Sequence, residues 1–178
     1  MVAGKPTEKM IIVDQEKCSG CGLCAIVCSF DKQRIFNPFK GWVRVYRYLE
    51  KNLALPAVCE VCENSPCIDA CPTKAIERVD GIVKINENKC IGCRLCFVSC
   101  PHGAIFMDKT RRVATKCTLC DGKPLCARVC PRDVFTYVER TPENMRKRDK
   151  IIEKNYRHRE RFPDFYKVQE APELEVKQ

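Results

Sequence analysis

The stretch CSGCGLCAIVC occupies residues 18–28 and places four cysteines at the spacing C-x2-C-x2-C-x3-C. Three more runs of four follow, so the runs account for all sixteen cysteines of the 178-residue chain. They are Cys18, Cys21, Cys24, Cys28; Cys59, Cys62, Cys67, Cys71; Cys90, Cys93, Cys96, Cys100; and Cys117, Cys120, Cys126, Cys130. Three thiolates on a tight loop, with a fourth one helical turn later, are typical of 4Fe-4S ligation. The spacing predicts four 4Fe-4S clusters, with these sixteen cysteines as the iron ligands.

The fourth cysteine of each run indicates that the runs work in pairs. In two-cluster ferredoxins this cysteine turns away from the cluster of its own run and binds the other cluster. Runs one and three share the pattern KC-x-GC-x-LC-x3-C, and runs two and four share a widened third spacing. The repeat alone favours pairing run one with run two and run three with run four.

Two other uses of cysteine explain the pattern less well. Zinc sites with four cysteines bring two C-x2-C pairs together across a longer gap and need no third cysteine two residues on. Disulfides are disfavoured because a C-x2-C-x2-C loop is too short for comfortable pairing and no secretory leader is recognisable. A 3Fe-4S cluster at a single site stays open, although the intact sets of four argue against it.

The formal net charge of +9 raises the question of nucleic-acid binding. Sixteen thiolates and four oxidised cores of about +2 each would bring this charge to about +1, so the basic excess mainly offsets the clusters. We therefore expect no nucleic-acid partner. We also expect no membrane insertion, because no apolar stretch approaches the length of a bilayer span. The absence of a leader or twin arginine predicts a cytoplasmic location, and oxygen-sensitive clusters suggest anaerobic metabolism.

Short strands are expected between the cysteine runs. Strand patterns cover Met10–Val13, Val43–Leu49, Ala75–Val79, Ile82–Ile85, Ala104–Met107, Val113–Thr115 and Val134–Val138. Asp80-Gly81 is a strong signal for a two-residue hairpin turn. Lys17, Lys89 and Lys116 each precede a run and are expected to be solvated lysines at strand ends. Trp42 is expected to be a packing residue, and His102 a hydrogen-bonding loop residue.

Composition changes after Val138, and residues 139–178 are expected to form a C-terminal helix and an extended tail that docks on a partner. Thr141 and Pro142 suit the N-cap and first position of a helix that runs to about Arg161. Its apolar stripe is narrow, so it would be poorly stable alone. Beyond it, Phe162, Phe165, Tyr166 and Val168 are candidate anchors, and a partly disordered tail is the alternative.

The four motifs resemble those of the four-cluster ferredoxin-like subunits of oxidoreductase complexes. The resemblance covers residues 10–138 and is carried by CSGCGLCAIVCSF, CEVCENSPCIDACPTKAI, CIGCRLCFVSCPHGAI and KCTLCDGKPLCARVCP. The compact fourth run is most similar to small subunits that accompany tungstopterin enzymes of the aldehyde:ferredoxin oxidoreductase family, including class II benzoyl-CoA reductase. Dimethyl sulfoxide reductase-type subunits are more distant, since they usually have a long insertion in that run.

The resemblance implies an α+β fold of two nested bacterial-ferredoxin-like units, with short helices and small antiparallel sheets around the clusters. The inner unit would span 59–107, and the outer unit 10–58 plus 108–138. The implied ligand sets are likewise nested: Cys18, Cys21, Cys24 with Cys130; Cys117, Cys120, Cys126 with Cys28; Cys59, Cys62, Cys67 with Cys100; and Cys90, Cys93, Cys96 with Cys71. Run one departs from the family pattern because Ser29, not proline, follows its last cysteine.

The implied function is single-electron relay without catalysis. No nucleotide-binding loop or nucleophile motif is recognisable, so a large tungstopterin or molybdopterin subunit would provide the reaction. Ferredoxin or another redox subunit would be the second partner. The alternatives are an iron-sulfur subunit of a molybdopterin oxidoreductase, formate dehydrogenase or hydrogenase, and a free polyferredoxin.

Overall fold

The computed structural model describes residues 9–51 and 53–160, and this part of the chain combines short helices with small antiparallel sheets. The helices are α1 Leu23–Gln33, α2 Pro66–Asp69, α3 Leu95–Ser99, α4 Leu125–Val129 and α5 Pro142–Glu160. The strands are β1 Lys9–Val13, β2 Arg44–Tyr48, β3 Leu53–Ala57, β4 Ile76–Val79, β5 Ile82–Ile85, β6 Ile105–Asp108, β7 Val113–Lys116 and β8 Phe135–Glu139. Short 3-10 turns cover Gln15–Lys17, Leu49–Lys51, Glu87–Lys89 and Leu119–Gly122. The predicted α+β class is confirmed.

Each sheet among the described residues has two strands, and three of the four are local hairpins. The β4–β5 hairpin turns at Asp80 and Gly81, whose φ angles of 50° and 76° are both positive. A two-residue turn with two positive φ angles matches the right-handed twist of the strands it joins, which is why Asp-Gly predicted it. The fourth sheet pairs β1 with β8, with Met10 opposite Val138, and so joins the two ends of the cysteine-bearing region.

The β2–β3 hairpin was only half predicted, because β3 carries Pro56 and its pairing with β2 was not anticipated. The hairpin lies over the loop of run one. The Arg47 guanidinium donates a hydrogen bond to the Gly20 carbonyl, and a Cβ atom added at Gly20 would lie 3.1 Å from the Ala54 Cβ atom. The hairpin therefore holds that loop from one side.

The helices that carry the cysteines meet in two pairs, α1 with α4 and α2 with α3. Two apolar cores follow from this pairing. The larger includes Ile11, Val43, Val58, Leu119 and Phe135, and the smaller includes Ile76, Val83, Ile105 and Ala114. Buried cysteines belong to both cores, so sulfur takes part of the volume that large apolar side chains fill elsewhere. The boundaries 59–107, and 10–58 plus 108–138, remain predictions.

Ser29 explains how run one does without proline. Its hydroxyl donates to the Ile26 carbonyl at 2.8 Å and accepts from the Asn37 amide at 3.2 Å. Proline at this position has no hydroxyl and could form neither hydrogen bond, and its ring would clash with the preceding helical turn. Helix α1 therefore continues five residues beyond Cys28, to Gln33.

Helix α5 begins as predicted and is anchored by a residue that the sequence did not single out. The Thr141 hydroxyl accepts a hydrogen bond from the Asn144 amide, as an N-cap does. Asn155 is buried and donates its side-chain amide to the Val13 carbonyl at 2.9 Å, which attaches α5 to β1. The expected tail anchors from Phe162 to Val168 lie outside the described residues. Within the described ranges, no helix combines the length and apolar character that a membrane span requires.

Candidate iron-sulfur sites

The sixteen cysteines lie in four sets of four, and each set takes its fourth member from a distant run. Site A contains Cys18, Cys21, Cys24 and Cys130, and site D contains Cys71, Cys90, Cys93 and Cys96. Site C contains Cys59, Cys62, Cys67 and Cys100. Site B contains Cys28, Cys117, Cys120 and Cys126, whose charges influence one another. The structure thus brings the cysteines together in the nested combination and not run by run.

Sites A, C and D are hollows lined by cysteine and apolar residues. Each encloses roughly 320–360 Å3, counting the part that is open to solvent. Site B lies deeper, because Cys28, Cys117 and Cys126 are all buried in the larger apolar core. Within the described ranges, no three histidine, cysteine or carboxylate side chains are arranged to hold a single metal ion.

Left-handed backbone is concentrated in the loops that carry the first three cysteines of each run. In run one Gly20 and Gly22 have φ angles of 75° and 78°, and in run three Gly92 and Arg94 have 69° and 66°. Runs two and four show the same feature at Val61, Leu119, Cys120 and Asp121. Positive φ at residues other than glycine costs free energy, and it persists where the surroundings demand it. Here it bends each loop around its hollow.

Backbone amides donate hydrogen bonds to the sulfur atoms. In three runs the amide four residues after the last cysteine donates to it, at 3.2 Å from Ala75 to Cys71, and at 3.4 Å from Ala104 to Cys100 and from Val134 to Cys130. In run one α1 continues and moves that amide away. The Trp42 amide donates to Cys28 instead, at 3.2 Å. This role of Trp42 was not predicted, because it depends on the fold of the preceding loop. Amide donors of this kind tune the potentials of bound clusters.

Burial makes these thiols weak acids. Burial first, and neighbouring thiolates second, raise the pKa of Cys24 and of Cys117 to about 12 and that of Cys67 to about 11. Four thiolates in one hollow therefore repel one another and are poorly solvated unless a positive core lies between them. An iron-sulfur core has that charge, and it binds thiolate ligands from which the protons have been displaced. The donor set fits a 4Fe-4S cluster.

Site C has two positively charged neighbours. Lys116 was expected to be solvated, and that prediction is wrong for this residue: it is buried and donates to the Val83 carbonyl at 2.6 Å and to the Cys117 carbonyl at 3.1 Å. The contact crosses from β7 to β5, so no local pattern could indicate it. Lys116 lines the hollow of site C, and its charge opposes the burial that raises the pKa of Cys67.

The second neighbour is His102, whose imidazole hydrogen-bonds the Cys62 sulfur and lies 3.1 Å, through Nδ1, from the Glu60 carboxylate. Burial alone would lower the pKa of His102, but these two hydrogen bonds outweigh it and raise the pKa to about 10. The imidazole is therefore protonated at neutral pH. Its hydrogen-bonding role was expected, whereas Glu60 was not predicted as a partner because it lies 42 positions away in the chain.

Only two of the sixteen cysteines are exposed, Cys21 in site A and Cys93 in site D. Sites B and C lie between these two. Cys24 of site A and Cys126 of site B are close enough for their charges to interact, as are Cys117 of site B and Cys59 of site C. Helices α2 and α3 join sites C and D: α2 carries Cys67 of site C and is followed by Cys71 of site D, whereas α3 carries Cys96 of site D and is followed by Cys100 of site C.

Comparisons with known proteins identify 4Fe-4S domains in this chain. A family model described as a 4Fe-4S dicluster domain matches residues 51–140, and one described as a 4Fe-4S binding domain matches residues 11–31. An uncharacterized ferredoxin of Methanocaldococcus jannaschii is 37% identical over 82% of this chain and 81% of its own length.

A polyferredoxin-like subunit of the aliphatic sulfonate oxidoreductase of Pyrococcus furiosus is 35% identical over 67% of this chain and 70% of its own length. Among solved structures, the active site complex BamBC of benzoyl-CoA reductase gives a loose match. Its TM-score is 0.46 at 25% identity, covering 86% of this chain and 90% of the matched chain.

We expect Gly92→Ala to damage site D and Gly103→Ala to spare it. Both residues have positive φ, so alanine costs about 1–2 kcal/mol at either position. At Gly92 a Cβ atom would also collide with the Arg112 carbonyl oxygen, whereas at Gly103 nothing lies within 4 Å. Iron and acid-labile sulfide should fall by about one quarter, one cluster of four, in the Gly92 variant only. Equal contents in both variants would contradict this account of the run-three loop.

Proposed function

Because the chain belongs to the 4Fe-4S dicluster family, and so is an electron-transfer protein with more than one 4Fe-4S cluster, we propose that it holds four. Sites A to D would each bind one, with the sixteen cysteines as ligands. When bound, such clusters accept and release single electrons. The observation that carries the proposal is the row of four cysteine quartets with one exposed cysteine at either end, Cys21 and Cys93. The function is an electron relay between two partners, without catalysis by this chain.

The surroundings of the quartets suit a relay. Sites A and B are joined by α1 and α4, and sites C and D by α2 and α3, because the third cysteine of each run lies in its helix and the fourth, four residues later, belongs to the neighbouring site. The fourth cysteine lies within α1 in run one and just beyond the helix in the other three runs. In α1, a rise of about 1.5 Å per residue puts Cys24 and Cys28 about 6 Å apart along the helix axis. The apolar core around site B keeps water away from the middle of the row. Water is thus kept from the middle of the row, where no partner has to dock.

An exposed aromatic patch supports a subunit role over a free polyferredoxin. It consists of Phe30, Ile35, Phe36 and Phe39, at the end of α1 and in the loop that follows. Phe36 and Phe39 are 74% and 78% exposed, and Phe36 stacks on Phe30 with 4.6 Å between ring centroids. Soluble monomers rarely expose large apolar patches, whereas aromatic side chains are enriched at interfaces. The polyferredoxin-like relative in Pyrococcus furiosus is itself an oxidoreductase subunit.

The catalytic partner is, in this proposal, a large tungstopterin subunit of the aldehyde oxidoreductase or benzoyl-CoA reductase type. The support is the resemblance of the motifs, above all the compact fourth run with five residues between Cys120 and Cys126. The aromatic patch would be its main contact, and residues 161–178 a second one. A molybdopterin oxidoreductase, formate dehydrogenase or hydrogenase partner is the alternative. We place the complex in the cytoplasm.

Anaerobic isolation of the native complex tests this assignment. We expect a large subunit with tungsten to co-purify, and about sixteen irons per copy of this chain, four per cluster. Phe36→Ser combined with Phe39→Ser should abolish co-purification while iron content is kept. Ile91→Ser combined with Val98→Ser, which changes two equally exposed apolar residues elsewhere, should leave it intact. A native complex without a pterin subunit would refute the tungsten assignment, and retention of the large subunit by the aromatic double variant would refute the contact.

The nested ligand sets predict a reciprocal result for two alanine variants. Cys28→Ala should damage the cluster of site B and spare that of site A, although Cys28 belongs to run one. Cys130→Ala should damage site A and spare site B, although Cys130 belongs to run four. Magnetic spectra that resolve the individual clusters distinguish the two. If each variant instead lost the cluster of its own run, the nested ligation would be wrong.

His102 is expected to raise the reduction potential of the cluster at site C, because a cationic donor to the Cys62 sulfur stabilises the more negative, reduced state. His102→Gln should lower that potential by about 30–60 mV, roughly 1 kcal/mol for one electron. Glu60→Gln keeps the imidazole and should give a smaller shift. A redox titration followed by magnetic spectroscopy measures both. An unchanged potential in the His102 variant would show that the imidazole does not act on the cluster.

A further inference from the structure

A small apolar surface adjoins the exposed cysteine of site D. Ile91, Leu95 and Val98 are 68%, 51% and 79% exposed. Leu95 and Val98 are three residues apart on α3 and therefore lie on one side of it. Ile91 lines the same hollow as Cys93. We call this surface, formed by Ile91, Cys93, Leu95 and Val98, the Cys93 face.

The chain segments next to the Cys93 face are rich in positive charge. The segments 86–94 and 108–112 are adjacent, because a Cβ atom added at Gly92 would collide with the Arg112 carbonyl oxygen. They contain two carboxylates, Glu87 and Asp108, and Arg111 binds both, at 2.6 Å and 2.8 Å. Four exposed cations remain that form no ion pair with any residue in the described ranges: Lys89, Arg94, Lys109 and Arg112. The rim is therefore open to an external anionic surface.

We propose that the Cys93 face is the docking site of an acidic redox protein of the ferredoxin type. The proposal rests on the proposed function, since it requires a cluster at site D. A cationic rim attracts a negatively charged partner and speeds encounter by about 10–1000-fold. Three apolar side chains suit the small interfaces of transient electron-transfer complexes, which lie below about 1,200 Å2. Electrons would pass singly between the docked protein and site D, with no bond made or broken.

Charge and apolar character separate this face from the aromatic patch. The aromatic patch has four large side chains, as a lasting subunit interface requires. The Cys93 face has smaller side chains, flanked in the chain by cations that form no ion pair within the described ranges. Cations could also serve only to offset the thiolates of site D, without any partner. In that case their removal would change the potential of that site but not the salt dependence of a reaction with a second protein.

The experiment compares two triple charge reversals in the full cluster-loaded chain. Lys89→Glu, Arg94→Glu and Arg112→Glu change the Cys93 face, and Arg146→Glu, Lys147→Glu and Lys150→Glu make the same change in net charge on exposed positions of α5. Stopped-flow measurements follow electron exchange with a purified acidic two-cluster ferredoxin at several salt concentrations. We expect the first triple to slow the bimolecular reaction at low salt about tenfold or more and to remove its salt dependence. The α5 triple should stay within about threefold.

Equal slowing by both triples, or by neither, would overturn the docking site. A change in the potential of site D without any change in the salt dependence of the reaction would also overturn the docking site. Hydrogen exchange of α3 in the native complex is the second measurement: we expect protection only when ferredoxin is added, and protection already present without it would assign the face to the large subunit. Iron and sulfide assays on the same samples distinguish a failure of the docking proposal from a failure of the proposed function. A wild-type chain without a cluster at site D contradicts the proposed function itself, whereas full clusters with unaltered rates contradict only the docking site.

Discussion

Four thiolates can share one hollow only if positive charge lies between them, and the architecture of this protein depends on that constraint. The quartets form much of the apolar interior, where burial opposes ionisation most strongly. Cys24, Cys117 and Cys126 all have pKa values raised first by burial and then by neighbouring thiolates. An iron-sulfur core removes the repulsion and ties distant parts of the chain together at the same time. Folding and cluster binding are therefore coupled, as in other small metal proteins.

The second consequence concerns topology. Each of the helices α1 to α4 carries the third cysteine of its run, the fourth lies within the helix or just after it, and the two sulfurs belong to different sites. Two helices that exchange cysteines in this way must pack side by side, which accounts for the α1–α4 and α2–α3 contacts. The β1–β8 sheet joins the two ends of the cysteine-bearing region. A linear sequence of four similar motifs thereby becomes a nested structure, although the repeat alone favours consecutive pairing.

The sequence predicts the features that depend on neighbouring residues. Asp80-Gly81 indicates the β4–β5 hairpin because its turn requires two positive φ angles, and Thr141-Pro142 marks the start of α5 because the cap is local. Features that depend on distant contacts could not be predicted. The burial of Lys116 against Val83 and the contact between Glu60 and His102 both join distant parts of the chain, whereas the local pairing of β3 with β2 was missed because β3 carries Pro56. Spacing identifies candidate ligands, but the groups that surround a site come from other parts of the fold.

The same ligands in four different surroundings imply four different electrostatic settings. The lining of site C includes Lys116 and His102, and His102 is paired with Glu60, whereas at site B the nearby Lys32 is paired with Asp31 at 2.9 Å. Lys116 counters the burial of Cys67 in site C and also that of Cys117 in site B, so its charge acts on both interior sites. At site D, exposed cations lie in the chain segments next to Cys93. The potential of each bound cluster would be set by these surroundings and not by the cysteine ligands, which are identical throughout.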